Sequence, residues 1–149
     1  MPRRRKKRQV VNATKCSYND IEFKSKLEMY CYKALEREGI PAEYEGESIQ
    51  LLEPFTDPAP FYKSHGKNPV KEKTNKVQGV IYTPDFVDRL DNPHGGFYIE
   101  VKGRRNESFP IRIKLFRYWR KRKGINKDYF EVGNEEEIEQ AITIIKQNL

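Results

Sequence analysis

Two apolar segments joined by a dense turn constrain the fold of this chain more than any other feature. Residues 80–87 and 97–102 are short apolar runs of the kind that form strands. Between them, residues 91–96 read Asp-Asn-Pro-His-Gly-Gly, which is rich in the residue types that turns require. The sequence therefore predicts two neighbouring antiparallel strands.

Three charged residues lie on these apolar segments. Asp85 belongs to the first segment, and Glu100 and Lys102 belong to the second. Because side chains alternate between the two faces of a strand, Glu100 and Lys102 point to the same face. Two carboxylates and an ammonium group are costly to bury for structure alone. The arrangement favours a divalent cation between the carboxylates and an anionic group that is attacked nearby.

The first half of the chain predicts one helix followed by extended structure. The helix is expected from residue 21 or 22 to residue 38, with Gly39 as its stop and Glu28 at the border of its apolar stripe. That stripe consists of Phe23, Leu27, Tyr30, Cys31, Ala34 and Leu35. Residues 42–55 are expected to be extended. Residues 56–79 contain five lysines without clear periodicity, which predicts a long basic loop or insertion.

A basic helix, a strand and a last helix are expected in the second half. The basic helix covers residues 111–123, with Ser108 as its N-cap and Pro110 in its first turn. Its core-facing residues are expected to be Ile111, Leu115, Tyr118 and Trp119. Residues 128–132 predict a strand, and a helix is expected to begin at residue 135. The buried stripe of that helix consists of Ile138, Ala141, Ile142 and Ile145.

This order of elements predicts one α/β domain. A helix, three strands, a helix, a strand and a helix follow one another within residues 16–149. Such an order is typical of a central mixed β-sheet flanked by helices. Residues 1–15 are expected to form a disordered basic tail in front of the domain.

The charge of the chain is concentrated in two regions. Of the net charge of +7, six units lie in residues 3–8 and nine in residues 102–123, which leaves −8 on the remainder. Two basic regions on a weakly acidic body favour a polyanionic partner, here DNA. The residues expected to contact DNA phosphates are Arg3, Arg4, Arg5, Lys6, Lys7, Arg8, Arg104, Arg105, Arg112, Lys114, Arg117 and Arg120.

The cysteines and the hydropathy of the chain predict a cytoplasmic protein. Cys16 and Cys31 form no CxxC pattern and are too few for a disulfide-built scaffold, so both are expected to be reduced thiols. No apolar run approaches the roughly 20 residues that span a bilayer. The basic N-terminus lacks the apolar stretch of a signal peptide.

Four segments of the chain occur in the order found in a known nuclease superfamily. They are Phe23-Lys24-Ser25-Lys26-Leu27-Glu28, Glu43-Tyr44-Glu45, Tyr82-Thr83-Pro84-Asp85-Phe86 and Ile99-Glu100-Val101-Lys102-Gly103. With them the sequence resembles the PD-(D/E)xK nuclease superfamily, and within it the bacteriophage endonuclease I group of Holliday-junction resolvases. It is also similar to small phage proteins with the same nuclease core. The resemblance implies a restriction-endonuclease-like core.

The resemblance also implies a role for each acidic residue and for the lysine. Asp85 and Glu100 would hold Mg²⁺ or Mn²⁺, with the main-chain carbonyl of Val101 as a further ligand. Glu28 would complete a second metal position or bind a metal-bound water. Lys102 would orient the attacking water and stabilise charge on the phosphate. The implied activity is endonucleolytic cleavage of branched DNA by a homodimer, in the host cytoplasm if the chain is phage-encoded.

The residues leave other functions open. A restriction- or mismatch-type duplex nuclease would use the same core, and a non-catalytic DNA-binding module would keep the fold without the reaction. No RNA-recognition motif in the sequence supports RNA binding. The intact set of Asp85, Glu100 and Lys102 favours an enzyme over a non-catalytic copy.

Overall fold

The computed structural model of the protein describes residues 14–92, 95–102 and 109–149. Within these ranges the chain is a mixed α/β protein with three helices and several small sheets. Its elements are β1 (Cys16–Tyr18), β2 (Ile21–Phe23), α1 (Lys26–Arg37), β3 (Ala42–Tyr44), β4 (Ile49–Leu52), β5 (Phe55–Thr56), β6 (Tyr62–Ser64), β7 (Pro69–Lys71), β8 (Lys76–Val77), β9 (Val80–Tyr82), β10 (Phe86–Asp88), β11 (Phe97–Val101), α2 (Phe109–Lys123), β12 (Asp128–Val132) and α3 (Glu135–Gln147). The predicted N-cap Ser108 and most of the predicted tail lie outside the described residues.

A four-stranded mixed sheet forms the centre of the protein. Its strand order is β12-β11-β10-β3, with β11 and β12 parallel and the other pairs antiparallel. Every residue of β10 and β11 is buried, as expected for central strands. The predicted mixed sheet and the predicted antiparallel pairing of β10 with β11 are confirmed.

Helices pack on both faces of this sheet, because the side chains of β11 alternate between the faces. Phe97, Ile99 and Val101 join the core that α1 and α3 cover. Tyr98 points the other way and packs against Phe116 of α2 at a ring-centroid distance of 5.5 Å. Glu100 therefore lies on the same face of the sheet as Tyr98.

The predicted helix start at residue 21 or 22 is wrong, because the chain first forms a β-hairpin. β1 and β2 pair antiparallel around a turn at Asn19 and Asp20, which both have positive φ. α1 begins only after Ser25, whose hydroxyl accepts the N–H of Glu28 at 3.1 Å. Phe23, which the pattern assigns to the helix stripe, is instead a fully buried strand residue.

The segment 80–87 forms two strands and not the single strand expected. β9 pairs with β4, whereas β10 pairs with β3 and β11 in the central sheet. Pro84 lies between β9 and β10 and has no N–H to donate, so the ladder is interrupted there. As a result, Asp85 lies at the junction of two sheets, immediately before β10.

Of the loop and the insertion expected at residues 56–79, the structureless loop is wrong, because the segment forms strands. Three antiparallel pairs, β4–β9, β5–β8 and β6–β7, follow one another along the same two chain segments. The N–H of Asp57 donates to the carbonyl of Asn75 at 2.7 Å between the pairs, which supports one continuous hairpin. We call this hairpin, residues 49–82, the β-ribbon. Beyond β4 and β9, most of its side chains are exposed.

α2 buries a different face from the one that the sequence predicts. Its buried residues are Phe109 and Phe116, whereas Ile111 and Tyr118 are 65% and 58% exposed. The other two predicted core residues are half-buried: Leu115 and Trp119. The rings that surround Phe116, at centroid distances of 5.0–6.0 Å, are those of Tyr82, Tyr98, Trp119 and Tyr129. This aromatic cluster accounts for the rotation of the helix on the sheet.

The C-terminal strand and helix are where the sequence predicts them. β12 covers residues 128–132, and α3 begins at Glu135 after the N-cap Asn134. The buried residues of α3 are the predicted Ile138, Ala141, Ile142 and Ile145. Regular apolar spacing and a capping residue are both present here, so pattern and structure agree.

Neither cysteine forms a disulfide in the described part of the chain. Cys16 and Cys31 are free thiols, as expected, and burial raises the pKa of the Cys31 thiol. Cys31 is therefore a protonated core residue. In the part of the chain that the structure describes, no helix is long and apolar enough to cross a membrane.

The orientation of α2 leads to a stability prediction. We expect Phe116→Ala to lower the free energy of unfolding by about 3–5 kcal/mol, because it removes a fully buried ring. Tyr118→Ala, on the exposed face of the same helix, should change it by less than about 1 kcal/mol. Urea denaturation followed by circular dichroism measures both. Equal losses from the two substitutions would contradict this orientation of the helix.

Candidate active site

Asp85 is held between three strands at the junction of the two sheets. Its side chain is 9% exposed, and its Oδ2 accepts the N–H of Val101 at 2.7 Å. Its own carbonyl oxygen accepts the N–H of Glu45 at 2.7 Å. The bend at Pro84 and these two hydrogen bonds fix the Asp85 carboxylate against β11.

Glu100 lies on β11, the strand that Asp85 contacts. The residue is 5% exposed, and both of its carboxylate oxygens have partners. Oε2 accepts the hydroxyl of Tyr82 at 2.8 Å, and Oε1 lies 2.9 Å from Nζ of Lys102. The ammonium group of Lys102 also lies 4.7 Å above the ring centroid of Phe109, the first residue of α2. Asp85, Glu100 and Lys102 are thus brought together, as the sequence predicts.

The two buried carboxylates of Asp85 and Glu100 repel each other, and this repulsion is unfavourable in the absence of a further positive charge. Burial, and next the negative charge of Glu100, raise the pKa of Asp85 to about 8. The N–H of Val101 and the charge of Lys102 act in the opposite direction but do not offset these effects. Two buried carboxylates with a single ammonium group are a poor arrangement for stability alone. A bound divalent cation would relieve the repulsion.

Glu28 is the fourth predicted residue of the site, and it lies close to Asp85 but is already engaged in hydrogen bonds. It lies in the first turn of α1 and is buried, and its charge contributes to raising the pKa of Asp85. Its Oε2 accepts the Tyr44 hydroxyl at 2.5 Å and the Lys24 N–H at 3.2 Å. Ser25 caps α1 by accepting the N–H of Glu28, while the Glu28 carboxylate reaches back to Lys24, the residue before the N-cap. We call Glu28, Asp85, Glu100 and Lys102 the acidic site.

The acidic site offers the donor atoms that a hard cation prefers. Asp85 and Glu100 supply carboxylate oxygens, and Mg²⁺ keeps several waters while binding through one or two carboxylates. No group of three or more His, Cys, Asp or Glu side chains is arranged to hold a metal ion within residues 14–92, 95–102 and 109–149. The residues therefore fit an ion bound mainly by two carboxylates, with Glu28 held by its hydrogen bonds at the edge of the site.

Asp88 shows what a buried structural carboxylate looks like in this protein. It is buried like Asp85, but it accepts the N–H groups of Leu90 and Phe97 at 3.1 and 3.0 Å. The ammonium group of Lys127 lies 2.9 Å from its Oδ2. These contacts satisfy the carboxylate fully and hold the hairpin between β10 and β11. Asp85 and Glu100 share one ammonium group, which distinguishes the acidic site from structural burial.

The predicted phosphate-binding residues differ in their surroundings. Arg3, Arg4, Arg5, Lys6, Lys7, Arg8, Arg104 and Arg105 lie outside the described residues. On α2, Lys114 and Arg117 are exposed. Nε of Arg112 is buried and has no hydrogen-bond partner in the described part of the chain. Arg120 donates to the carbonyl of Lys127, so its guanidinium is already engaged.

Sequence reasoning missed the tyrosines that support the acidic site. Tyr82 donates to Glu100 and also shares a hydrogen bond of 3.1 Å with Tyr129, while Tyr44 donates to Glu28. Burial first, and then nearby carboxylate charge, raise the pKa of Tyr82, so that it remains a protonated donor. A tyrosine on an apolar strand resembles any core aromatic residue in sequence. The useful signal is that a buried hydroxyl needs a polar partner.

The raised pKa of Asp85 predicts a pH-dependent stability. Its folded pKa of about 8 lies above its ordinary value of 3.8, so stability from its protonated form is lost as the pH rises from about 4 to 8. Asp85→Asn keeps an acceptor for Val101 and has no charge. Without metal, we expect the stability of Asp85→Asn relative to wild type to grow over this interval, by at most about 6 kcal/mol in unfolding free energy.

Thermal and urea unfolding in EDTA, from pH 4 to pH 9, measure this difference. Asp91→Asn is the matched control, because Asp91 is exposed in the same hairpin. The control should track the wild-type protein across the pH range. A stability difference between Asp85→Asn and wild type that does not vary with pH would contradict the account of the buried pair.

Comparisons with known proteins identify one family. A family model described as "Protein of unknown function (DUF1064)" matches residues 8–133, which include the whole acidic site and the β-ribbon. No curated protein and no solved structure matches the chain significantly. Because this family model covers most of the chain, the protein belongs to the DUF1064 family.

Proposed function

We propose that the protein is a metal-dependent endodeoxyribonuclease with a restriction-endonuclease-like core of the PD-(D/E)xK type. The observation that carries this proposal is the burial of Asp85 and Glu100 together, with Lys102 beside them. Such a set is unfavourable as structure but matches metal-assisted hydrolysis of a phosphodiester. The mixed sheet, which brings the three residues to one place, supports the same conclusion.

The residues of the acidic site would divide the chemistry between them. Asp85 and Glu100, with the carbonyl oxygen of Val101, would hold Mg²⁺ or Mn²⁺. Such an ion, when bound, polarises the phosphodiester and makes water a better nucleophile. The ammonium group of Lys102 lies beside Glu100, a proposed ligand of the ion. It would donate to the attacking water or to a phosphate oxygen there. Tyr82 keeps the Glu100 carboxylate in a fixed orientation through its hydroxyl.

The surroundings of the site support a DNA substrate. α2 begins at Phe109, which contacts Lys102, so this basic helix starts at the acidic site. Lys114 and Arg117 are exposed on it, where their charges can contact backbone phosphates. We further propose branched DNA as the substrate and a homodimer as the active form, because two strands of a junction need two sites.

Cleavage assays test the proposal directly. Wild-type protein should cut a labelled four-way junction in Mg²⁺ but not in EDTA, and should cut a matched linear duplex and single-stranded DNA more slowly. Glu100→Gln should abolish cutting, because it removes a charged ligand. Lys102→Ala should slow cutting by about 100- to 1,000-fold, as for the loss of one donor to a charged transition state.

Glu22→Gln is the matched control. The substitution makes the same chemical change as Glu100→Gln, at an exposed position on β2 away from the site. It should cut at the wild-type rate. Cutting that persists in both Glu100→Gln and Lys102→Ala would contradict the assignment of the acidic site. Equal rates on the junction and on the linear duplex would favour a restriction- or mismatch-type nuclease.

A non-catalytic DNA-binding module is the second candidate. The first of two observations that favour it is that the described residues contain no group of three or more His, Cys, Asp or Glu side chains that could hold a metal ion. The hydrogen bonds that engage Glu28 point the same way. Tight junction binding without cutting in Mg²⁺ or Mn²⁺ is the result that would identify this function.

A further inference from the structure

One face of the β-ribbon carries an open apolar groove. Phe55, Phe61 and Val77 line it, and its volume is about 500 Å³. All three side chains are exposed, and the two phenylalanines are 49% and 54% exposed. An isolated two-stranded ribbon is at best marginally stable in water. Exposed aromatic rings along such a ribbon are typical of an interaction surface.

The pairing register separates the two faces of the ribbon. Residues directly opposite each other in an antiparallel pair lie on the same face. Phe55 is opposite Val77, and both line the groove. Tyr62 is opposite Lys71, and neither lines the groove, so they lie on the other face. Phe61, which lines the groove, and Tyr62, on the other face, are therefore a matched pair of similarly exposed aromatic residues.

Charge is distributed unevenly around the groove. The charged residues that line the groove are two lysines and two acids: Lys63, Lys76, Asp57 and Glu72. Lys63 lies 2.7 Å from Glu72, so the groove itself is close to neutral. Three further exposed lysines lie outside it: Lys67, Lys71 and Lys73. The ribbon thus combines a neutral aromatic groove with a positively charged surround.

The groove continues towards α2. Phe55 also lines a second groove, of about 660 Å³, to which Trp119 contributes another aromatic surface. The charged residues that line the second groove are two basic and two acidic: Arg122, Lys123, Glu47 and Glu53. Aromatic surfaces therefore occur at intervals from the ribbon to the basic helix, in the order Phe61, Phe55 and Trp119.

We propose that the β-ribbon binds single-stranded DNA. An unpaired base would stack on Phe61 and Phe55 in the neutral groove, and the backbone phosphates would lie on the surrounding lysines. A nucleobase is flat, neutral and aromatic and is attached to a phosphate, which matches this distribution of charge and apolar surface. A second copy of the chain is a poorer occupant, because two lysine-rich ribbons repel each other.

The site lies outside the acidic site, and binding to it requires no cleavage. Only the step from an unpaired base to branched DNA, whose strands leave their duplex at the junction, rests on the proposed function. Binding is therefore measured in EDTA, where no cutting is expected. Binding of the oligonucleotide in EDTA by a wild-type protein that cuts no DNA in Mg²⁺ or Mn²⁺ would leave the ribbon site standing without the proposed function. Cutting that Glu100→Gln abolishes, by a protein that does not bind the oligonucleotide in EDTA, would leave the acidic site standing without the ribbon site.

The test uses fluorescence anisotropy of a short labelled oligothymidylate with the full-length protein. Phe61→Ala should weaken binding about tenfold, as for the loss of one stacked base. Tyr62→Ala, which removes a similarly exposed ring from the opposite face, should change it less than about twofold. Phe61→Tyr keeps the aromatic surface and should restore wild-type affinity. Both positions are exposed, so circular dichroism should show folded variants.

A fluorescent adenine analogue in the oligonucleotide reports stacking independently of affinity. Its emission should be quenched on binding to wild-type protein and to Tyr62→Ala, and should stay unquenched with Phe61→Ala. Equal affinities of Phe61→Ala and Tyr62→Ala would overturn the proposal. It would also be overturned if Phe61→Ala converted a dimer into a monomer in sedimentation without changing DNA binding, since the groove would then be an interface between copies.

Discussion

The burial of two carboxylates beside one ammonium group is the interaction on which the rest of this structure depends. Asp85 reaches its position because Pro84 interrupts the ladder and lets the chain pass from one sheet to the other. Glu100 is held by Tyr82 and Lys102, while the N–H of Val101 holds Asp85. These contacts orient the acids without neutralising both of them, which is what a site that awaits a cation requires.

The same chain junction couples the β-ribbon to the acidic site. Tyr82 is the last residue of the ribbon, and it donates to Glu100 in the central sheet. Its ring packs on Phe116, so α2 also bears on the position of Glu100. A ligand held along the ribbon and the basic helix would therefore be oriented towards the buried carboxylates. This connection links the proposed chemistry to the proposed recognition of unpaired DNA.

Much of the site could be predicted from sequence, because charged residues on apolar strands are unusual and easy to notice. The strand of Glu100 and the last helix were predictable from regular apolar spacing. The β-ribbon was not, since beyond β4 and β9 most of its side chains are exposed and Pro58 and Pro60 interrupt its alternation. The burial of Phe116 does not follow from local periodicity, because most of the rings around it come from distant strands. Tyr82 resembled a core residue for the same reason.

Direct observation of metal binding tests the central claim most sharply. Mn²⁺ can be titrated into the protein while electron paramagnetic resonance measures the free ion. The account predicts saturable binding to the wild-type protein, weakened at least about tenfold by Glu100→Gln, and unchanged by Glu22→Gln on the exposed strand β2. Binding that is absent in the wild-type protein, or equally strong in Glu100→Gln, would contradict the claim that Asp85 and Glu100 form a cation site.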